Sequence, residues 1–292
     1  MQAVLYFLAL LAPGFSSKIL YVAPINASSH HMWNTFLATE LAKRGHQVTY
    51  IASLPLKEKP HPNMNASIFQ SVTGLWEQLI LDSYTGPVTK ILHTLETACK
   101  VDCELMFEKE PYKNLIHPSN KDTYDVIIME FCGHDCLLAL AHRFKAPIIV
   151  ANPLTYNPHW LYRLMGVPLF HLAPHSAHSL TPPYDIWKRL EALWVYLSND
   201  WDYYTRIRPA MERSIKKYFG EDTPSLKELT ESIGFALVNV PDWMNKIPLP
   251  GNVLPIGGIH LTEAKPLSPV STLEYVITAF LTTAFKKFTA FE

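Results

Sequence analysis

The stretch KILYVAPINASSHHMWNTFLATELAKRGHQVTYIA, residues 18–52, decides the fold. Residues 18–23 are an apolar run that ends at a proline, which is typical of a buried β-strand. Residues 31–44 carry apolar side chains near one helical face, and Gly45 ends the helix. Residues 47–52 form the next apolar run. Strand, helix and strand in this order predict a βαβ unit whose two strands are parallel and covered on both faces.

Further apolar runs extend this unit into an α/β domain. Helical patterns alternate with them, and residues 153–184 are rich in proline and histidine and indicate a long loop. The helical patterns span about 72–107, 137–144 and about 186–218, and the further strands span 125–130, 146–151, 234–240 and 252–257. We therefore predict a Rossmann-like parallel sheet flanked by helices.

The two ends of the chain differ from this domain. Residues 1–17 contain a short apolar stretch followed by proline, glycine and serines, which is typical of a secretory signal peptide cleaved near Ser17. Spanning a bilayer takes about 20 apolar residues, so the stretch is too short for a membrane anchor. The alternative is a buried first strand. Residues 266–292 carry an apolar segment interrupted by Lys286-Lys287, either a helix that covers the domain or a tail without a defined role.

We therefore expect three parts: a signal peptide at 1–17, an N-terminal domain at 18–265 and a divergent tail at 266–292. A signal peptide would direct the chain into the secretory pathway and the lumen of the endoplasmic reticulum. Glycosylation sequons at Asn26 and Asn65 are compatible with that compartment. A glycan on Asn26 would obstruct the crevice beyond the first strand, so we expect this asparagine to be unmodified.

Composition excludes several function classes. The formal net charge is −1 and no dense Lys/Arg run occurs, so nucleic acid is not an expected partner. The loop at 24–31, which follows the first strand, contains no glycine. A dinucleotide site or a P-loop would need glycines there. No G-x-S-x-G motif occurs, which argues against an α/β-hydrolase.

The cysteines and clustered histidines do not indicate a metal site. Both cysteine pairs have three intervening residues, whereas zinc ligands usually form a closer C-x-x-C pair, and a proline interrupts the histidines. The candidates are Cys99, Cys103, Cys132, Cys136, His171, His175 and His178. Cys99 and Cys103 would share a helix face as core residues. A disulfide is compatible with the lumen, but the sequence does not define its pairing. We expect no metal and no cofactor.

One histidine lies where chemistry is expected. Ligands of an open α/β sheet bind beyond the carboxyl ends of its strands. His30 lies there, at a strand-to-helix junction whose helix N-terminus favours a neutral imidazole able to accept a proton. The third strand ends in Glu130 and its loop carries Asp135, and either carboxylate would orient the ring. The alternative is a structural histidine.

The motifs around this histidine follow a recognisable order. Ser29-His30 is followed by a helix and then by Arg44-Gly-His-Gln-Val-Thr49. This order resembles the start of the UDP-glycosyltransferases, and the resemblance continues to about Lys265. Further similar segments are Tyr124–Glu130, Ala139–Pro147, Phe235–Asn239 and Pro255–His260, and two resemble the insect-type members, Cys103–Ile116 and Trp160–Pro168.

The resemblance implies the N-terminal domain of a GT-B glycosyltransferase. In that family the histidine after serine is the general base, which corresponds to His30. It would deprotonate a hydroxyl of a small lipophilic acceptor, which attacks a UDP-sugar with inversion. UDP-glucose is implied by the insect-type members. The implied acceptor-binding residues are Ser29, His31, Tyr156, His159 and Trp160.

The resemblance leaves the orienting carboxylate open. Family members carry an acid at the position of Glu130, and insect-like members often carry another acid at that of Asp135. We favour Asp135 because it is the shorter acid at a helix start, whereas the longer Glu130 would point into the sheet.

The second half of the family pattern is not found. The family's donor-binding motif lies near a His-Gly-Gly sequence, and its members carry a membrane anchor near the C-terminus. Neither feature is found after Pro266. We therefore expect a truncated glycosyltransferase that is inactive alone. The alternative is a non-catalytic acceptor-binding or regulatory fragment that associates with a full-length glycosyltransferase. A third reading is an unrelated lumenal α/β enzyme.

Overall fold

The computed structural model describes residues 16–70, 88–154, 163–165, 186–241, 249 and 251–261. The chain divides into two units, Met1–His260 and Leu261–Glu292, and every element described below belongs to the first. Within the described ranges, no helix has the length and apolar character needed to cross a membrane.

Seven parallel strands form one sheet, in the order β3-β2-β1-β4-β5-β6-β7. The strands are β1 Lys18–Ala23, β2 Gln47–Ala52, β3 Met64–Ile68, β4 Val126–Glu130, β5 Ile148–Asn152, β6 Ile233–Val238 and β7 Val253–Pro255. The predicted Rossmann-like parallel sheet is confirmed. Strand order reverses between β1 and β4, which makes their carboxyl ends the switch point of the sheet.

Helices follow β1, β3, β4 and β5. They are α1 Ser28–Lys43, α2 Val88–Leu105, α3 Tyr112–Ile116, α4 Ala139–Phe144, α5 Ile186–Asp202, α6 Arg208–Phe219 and α7 Leu226–Thr230. A π-turn, Tyr203–Ile207, joins α5 to α6, so the long helical pattern predicted from residue 186 is one nearly continuous element. A short 3₁₀ turn, Asp135–Leu138, follows β4.

Burial explains which strands the sequence predicts. Every residue of β4 and β5 is buried, because both faces of the sheet are covered, and such strands have continuous apolar sequences. The edge strand β3 has the sequence MNASI and is only partly buried. Its polar composition gives no strand pattern, so this strand is not predicted from the sequence.

The sheet separates two apolar layers. Alternate residues of β1 face opposite layers, as the two-residue period of a strand requires. Ile19 and Tyr21 pack with Trp33 of α1 in one layer. Leu20 and Val22 lie in the other layer, which also contains the apolar side chains of α2. Each large apolar side chain buried in this way contributes about 1.5–3 kcal/mol.

A disulfide between Cys103 and Cys136 joins α2 to the 3₁₀ turn after β4. The remaining cysteines, Cys99 and Cys132, are free and buried, and the Cys99 thiol donates to the carbonyl oxygen of Cys132 at 3.1 Å. Burial raises the pKa of both thiols. Cys99 and Cys103 are core residues, as the sequence indicated.

Helix α5 is amphipathic. Val195, Tyr196 and Asn199 form its buried face. The exposed face carries large apolar side chains: Ile186, Trp187, Leu190, Leu193, Trp194, Leu197 and Trp201. Exposed apolar patches of this kind generally mark contact surfaces.

Candidate active site at the switch point

The candidate site lies beyond the carboxyl ends of β1 and β4. The chain leaves β1 through Pro24–Asn26 and enters α1, whose N-cap residue Ala27 makes no side-chain hydrogen bond. No acidic residue lies in the first turn of α1. This first turn carries Ser29, which is exposed, and His30, which is buried.

His30 contacts Glu130, the last residue of β4. The His30 Nδ1 atom lies 2.5 Å from Glu130 Oε1, and the two residues are 8% and 0% exposed. The backbone N–H of Ile25 donates to the other carboxylate oxygen, Oε2, at 3.4 Å. An ionised carboxylate only accepts hydrogen bonds, so the proton of a neutral imidazole lies on Nδ1 and a lone pair remains on Nε2. The arrangement is that of an oriented general base.

The structure places Glu130, and not the favoured Asp135, beside His30. Asp135 is 3% exposed, and its carboxylate accepts a hydrogen bond from the Tyr203 hydroxyl at 2.5 Å. The physical reason is strand parity. In β4, Ile128 faces the α1 layer and Met129 the α2 layer. Alternation therefore turns Glu130 towards α1 rather than into the α2 layer.

Asp135 belongs to a second buried polar cluster. Arg163 Nη1 lies 2.8 Å from Glu96 Oε1, and Arg163 Nη2 donates to Asn199 Oδ1 at 2.9 Å. It also stacks on the Tyr203 ring at 3.9 Å. Tyr203 connects this arginine to Asp135. We name Asp135, Tyr203, Arg163, Glu96 and Asn199 the Arg163 cluster.

Burial sets the charge preferences in the Arg163 cluster. Burial raises the pKa of Asp135, and the Tyr203 hydrogen bond and the Arg163 charge only partly offset it. Burial likewise raises the pKa of Glu96 against the opposing effect of Arg163. The pKa of Tyr203 is also raised, by burial first and then by the Asp135 charge, so Tyr203 is a hydrogen-bond donor at neutral pH.

The other predicted site residues have mixed outcomes. His31 is buried, its Nε2 atom lies 3.5 Å from Thr35 Oγ1, and burial lowers its pKa. Tyr156, His159 and Trp160 lie outside the described residues, as do the histidines at 171, 175 and 178. Among the described residues, no group of three or more potential ligands could hold a metal ion.

A polar contact beneath His30 was not predicted from the sequence. Asn34 is fully buried, and its Nδ2 atom donates to the backbone carbonyl of His30 at 3.0 Å. The Tyr21 hydroxyl donates to Asn34 Oδ1 at 2.7 Å. A polar residue on the apolar face of α1, four residues after His30, was the available signal.

Comparison with curated proteins identifies similar transferases. A UDP-glycosyltransferase UGT5 of Dactylopius coccus is 30% identical over 273 residues, which cover 88% of this chain and 51% of the relative. UDP-glucosyltransferase 2 of the same species is 28% identical, with 89% of this chain and 51% of the relative covered. An ecdysteroid UDP-glucosyltransferase of Autographa californica nuclear polyhedrosis virus is 23% identical, with 92% and 55% covered. The chain thus spans about half the length of these relatives.

Solved structures with a similar fold include the glycotransferase of kitacinnamycin, with a TM-score of 0.48 and 16% identity over 87% of this chain and 56% of that chain. Another is TcCGT1 in complex with UDP, with a TM-score of 0.42, 16% identity and coverage of 90% and 55%. These scores add nothing to the fold already described. No family model matches the chain.

Proposed function

The chain belongs to the UDP-glycosyltransferase family, and we propose its function from that premise. The proposed function is that of the acceptor-binding part of an inverting glycosyltransferase. Such an enzyme transfers a hexose from a UDP-sugar to a hydroxyl of a small lipophilic acceptor. The observation that carries the proposal is the contact of His30 Nδ1 with Glu130 at the switch point, which leaves Nε2 available as a base.

In the proposed reaction, His30 Nε2 removes the proton of the acceptor hydroxyl. The acceptor oxygen forms a bond to the anomeric carbon while the bond from that carbon to the UDP oxygen breaks. The electron pair of the broken bond leaves with UDP, and attack from the opposite side inverts the anomeric centre. The proton remains on His30, and the Glu130 carboxylate stabilises the resulting imidazolium.

We propose glucose as the sugar and the secretory lumen as the compartment. The names of two similar proteins, UDP-glucosyltransferase 2 and the viral ecdysteroid UDP-glucosyltransferase, support glucose. The disulfide Cys103–Cys136 supports an oxidising compartment, because disulfides rarely persist in the cytosol.

We place the donor-binding groups in the part of the relatives' length that this chain does not span.

The test measures glucose transfer from UDP-glucose to a panel of phenols. The purified chain is assayed alone and as a chimera in which it replaces the matching half of the Dactylopius coccus UGT5. We expect the chimera to transfer glucose and His30→Gln to reduce its kcat about 10²–10⁴-fold, the usual contribution of a general base.

The matched control is His134→Gln. His134 is also a buried histidine beside a carboxylate, with Nε2 3.4 Å from Asp102 Oδ2, and it lies four residues after Glu130, the last residue of β4. We expect this variant to retain kcat within about ten-fold. Equal losses in the two variants, or a folded chimera without transfer, would contradict the proposed function.

A further inference from the structure

Two tyrosines on neighbouring strands contact consecutive residues of α1. Tyr21 of β1 and Tyr50 of β2 are direct partners in the sheet, and both are fully buried in the α1 layer. Their rings pack edge to face with centroids 5.4 Å apart. The Tyr21 hydroxyl is hydrogen-bonded to the Asn34 side chain, and the Tyr50 hydroxyl to the Thr35 side chain.

The two tyrosine contacts differ in the second group that Asn34 and Thr35 each contact. Asn34 accepts from the Tyr21 hydroxyl at 2.7 Å and donates to the His30 carbonyl at 3.0 Å. Thr35 Oγ1 lies 3.1 Å from the Tyr50 hydroxyl and 3.5 Å from His31 Nε2. Asn34 therefore connects Tyr21 to the backbone of His30, the residue proposed as the base. Thr35 instead connects Tyr50 to the side chain of His31, the next residue.

The Tyr21–Asn34 contact is costly for the fold alone. Asparagine is an unfavourable residue inside a helix, and burying an amide and a hydroxyl is unfavourable unless both are bonded. Apolar side chains at these two positions would supply packing without that requirement. The N-cap residue Ala27 makes no side-chain hydrogen bond to the first turn of α1.

We propose that Tyr21 and Asn34 are positioning residues for His30. This inference rests on the proposed role of His30 as the base. Because the Tyr21 hydroxyl donates to Oδ1, the Asn34 amide is oriented with Nδ2 towards the His30 carbonyl. The backbone of His30 is then fixed by Asn34 and its ring by Glu130. Fixing both directs the Nδ1–H of the neutral ring towards the Glu130 carboxylate, so that the tautomer with unprotonated Nε2 is favoured.

A second restraint acts on the carboxylate from the opposite side. Ile25, whose N–H donates to Glu130 Oε2, has its own carbonyl bonded by the buried Ser53 hydroxyl. The position of Glu130 therefore does not depend on Asn34. Loss of the Tyr21–Asn34 contact should displace His30 alone and lengthen the distance from its Nδ1 to Glu130.

The test reads the His30 tautomer by NMR on the ¹⁵N-histidine-labelled chain, with the signal assigned by its loss in His30→Gln. The nitrogen chemical shifts report whether Nδ1 or Nε2 carries the proton, and no turnover is needed. We expect Tyr21→Phe, which removes a single hydroxyl, to lower the ratio of the Nδ1–H to the Nε2–H tautomer about 3–10-fold, the equivalent of one buried hydrogen bond.

The matched control is Tyr50→Phe, which removes the partner hydroxyl from the same aromatic pair in the same layer. We expect its His30 tautomer ratio to stay within about two-fold of the unsubstituted chain. Urea unfolding of both variants separates stability from positioning. Equal ratio changes in the two tyrosine variants, or no change in Tyr21→Phe, would overturn the inference.

The variant Asn34→Asp tests the same inference by a second substitution. An aspartate still accepts from Tyr21 but presents an oxygen, not an N–H, to the His30 carbonyl. We expect the tautomer ratio to fall at least as far as in Tyr21→Phe. An unchanged ratio in Asn34→Asp would equally overturn the inference, whatever the transfer assay shows. Conversely, a shifted tautomer with no transfer in the chimera would contradict only the proposed function.

Discussion

Glu130 and Asp135 are two buried carboxylates five residues apart, and their surroundings differ completely. Glu130 ends β4, faces α1 and contacts the Nδ1 atom of the His30 imidazole. Asp135 begins the next turn on the other side of the sheet, and Tyr203 connects it to the arginine of the Arg163 cluster. Proximity to the carboxyl end of a strand therefore does not decide which carboxylate contacts His30. The layer that the side chain enters, and the group it meets there, decide its role.

The largest expected effect is on transfer by the chimera. Glu130→Gln removes the acceptor that keeps the His30 proton on Nδ1 and the charge that stabilises the imidazolium. We expect kcat to fall about 10³–10⁴-fold, as when the acid of a Ser-His-Asp triad becomes an amide. Initial rates with UDP-glucose and a phenol at saturating concentrations measure this loss.

Asp135→Asn is the matched control for that assay. The asparagine oxygen still accepts from Tyr203, and the site is on the other side of the sheet from His30. We expect kcat within about ten-fold of the unsubstituted chimera. Comparable losses in the two variants would show that the comparison between the carboxylates is wrong.

Sequence reasoning succeeded where one local pattern determines the answer. The apolar runs of β1 and β2, with the helical pattern between them, predicted the parallel sheet, and the position of His30 after the first strand predicted its place at a strand-to-helix junction. The choice between Glu130 and Asp135 failed because side-chain length was considered instead of the two-residue period of β4. That period was readable from the alternation of Ile128 and Met129.

Other features depend on long-range packing that no local pattern encodes. The pairing of Cys103 with Cys136 requires the crossing position of α2 over the end of β4. Strand β3 is polar and gains its structure by pairing with β2. The Arg163 cluster joins residues from α2, the segment 163–165 and α5, and its members carry no shared sequence motif.

The second prediction concerns stability in the Arg163 cluster. Arg163→Met leaves Glu96 buried without its cation, because Arg163 Nη1 lies 2.8 Å from the Glu96 carboxylate and both side chains are less than one tenth exposed. We expect the free energy of unfolding in urea to fall by about 3–5 kcal/mol.

Glu96→Gln in the Arg163→Met background should recover part of that loss, because it removes the unpaired charge. If the double variant is as unstable as Arg163→Met alone, the loss comes from packing around Tyr203 and not from the buried charge. The same pair of variants should leave the His30 tautomer unchanged, which separates the Arg163 cluster from the site at Glu130.

The third prediction concerns the bond between Tyr203 and Asp135. Tyr203→Phe removes the donor, and the Asp135 carboxylate loses a hydrogen bond while it remains buried. Hydrogen bonds to charged groups contribute about 1.5–3 kcal/mol, so we expect a loss of that size in urea unfolding. Tyr204→Phe is the control, because Tyr204 is half exposed on the same π-turn. Equal losses in both variants would contradict a specific Tyr203–Asp135 bond.

The smallest expected effect is a pH dependence. Burial raises the pKa of Asp135 above that of an unfolded aspartate, which is about 3.9. Above about pH 4, the folded state therefore binds more protons at this residue than the unfolded state does. The free energy of unfolding then falls as pH rises towards the folded-state pKa, by at most about 1.4 kcal/mol per pH unit for one group.

Asp135→Asn removes this contribution while keeping the hydrogen bond from Tyr203. The free energy of unfolding of the variant, minus that of the unsubstituted chain, should therefore increase as pH rises from about 4 to about 8. Glu96 contributes in the same direction, because burial and also the Asp135 charge raise its pKa and Asp135→Asn removes that charge. Urea unfolding at several pH values measures that difference. A difference that decreases with pH would mean that Tyr203 and Arg163 stabilise the Asp135 charge more than burial opposes it, which would make Asp135 resemble an ion-paired carboxylate instead of a desolvated one.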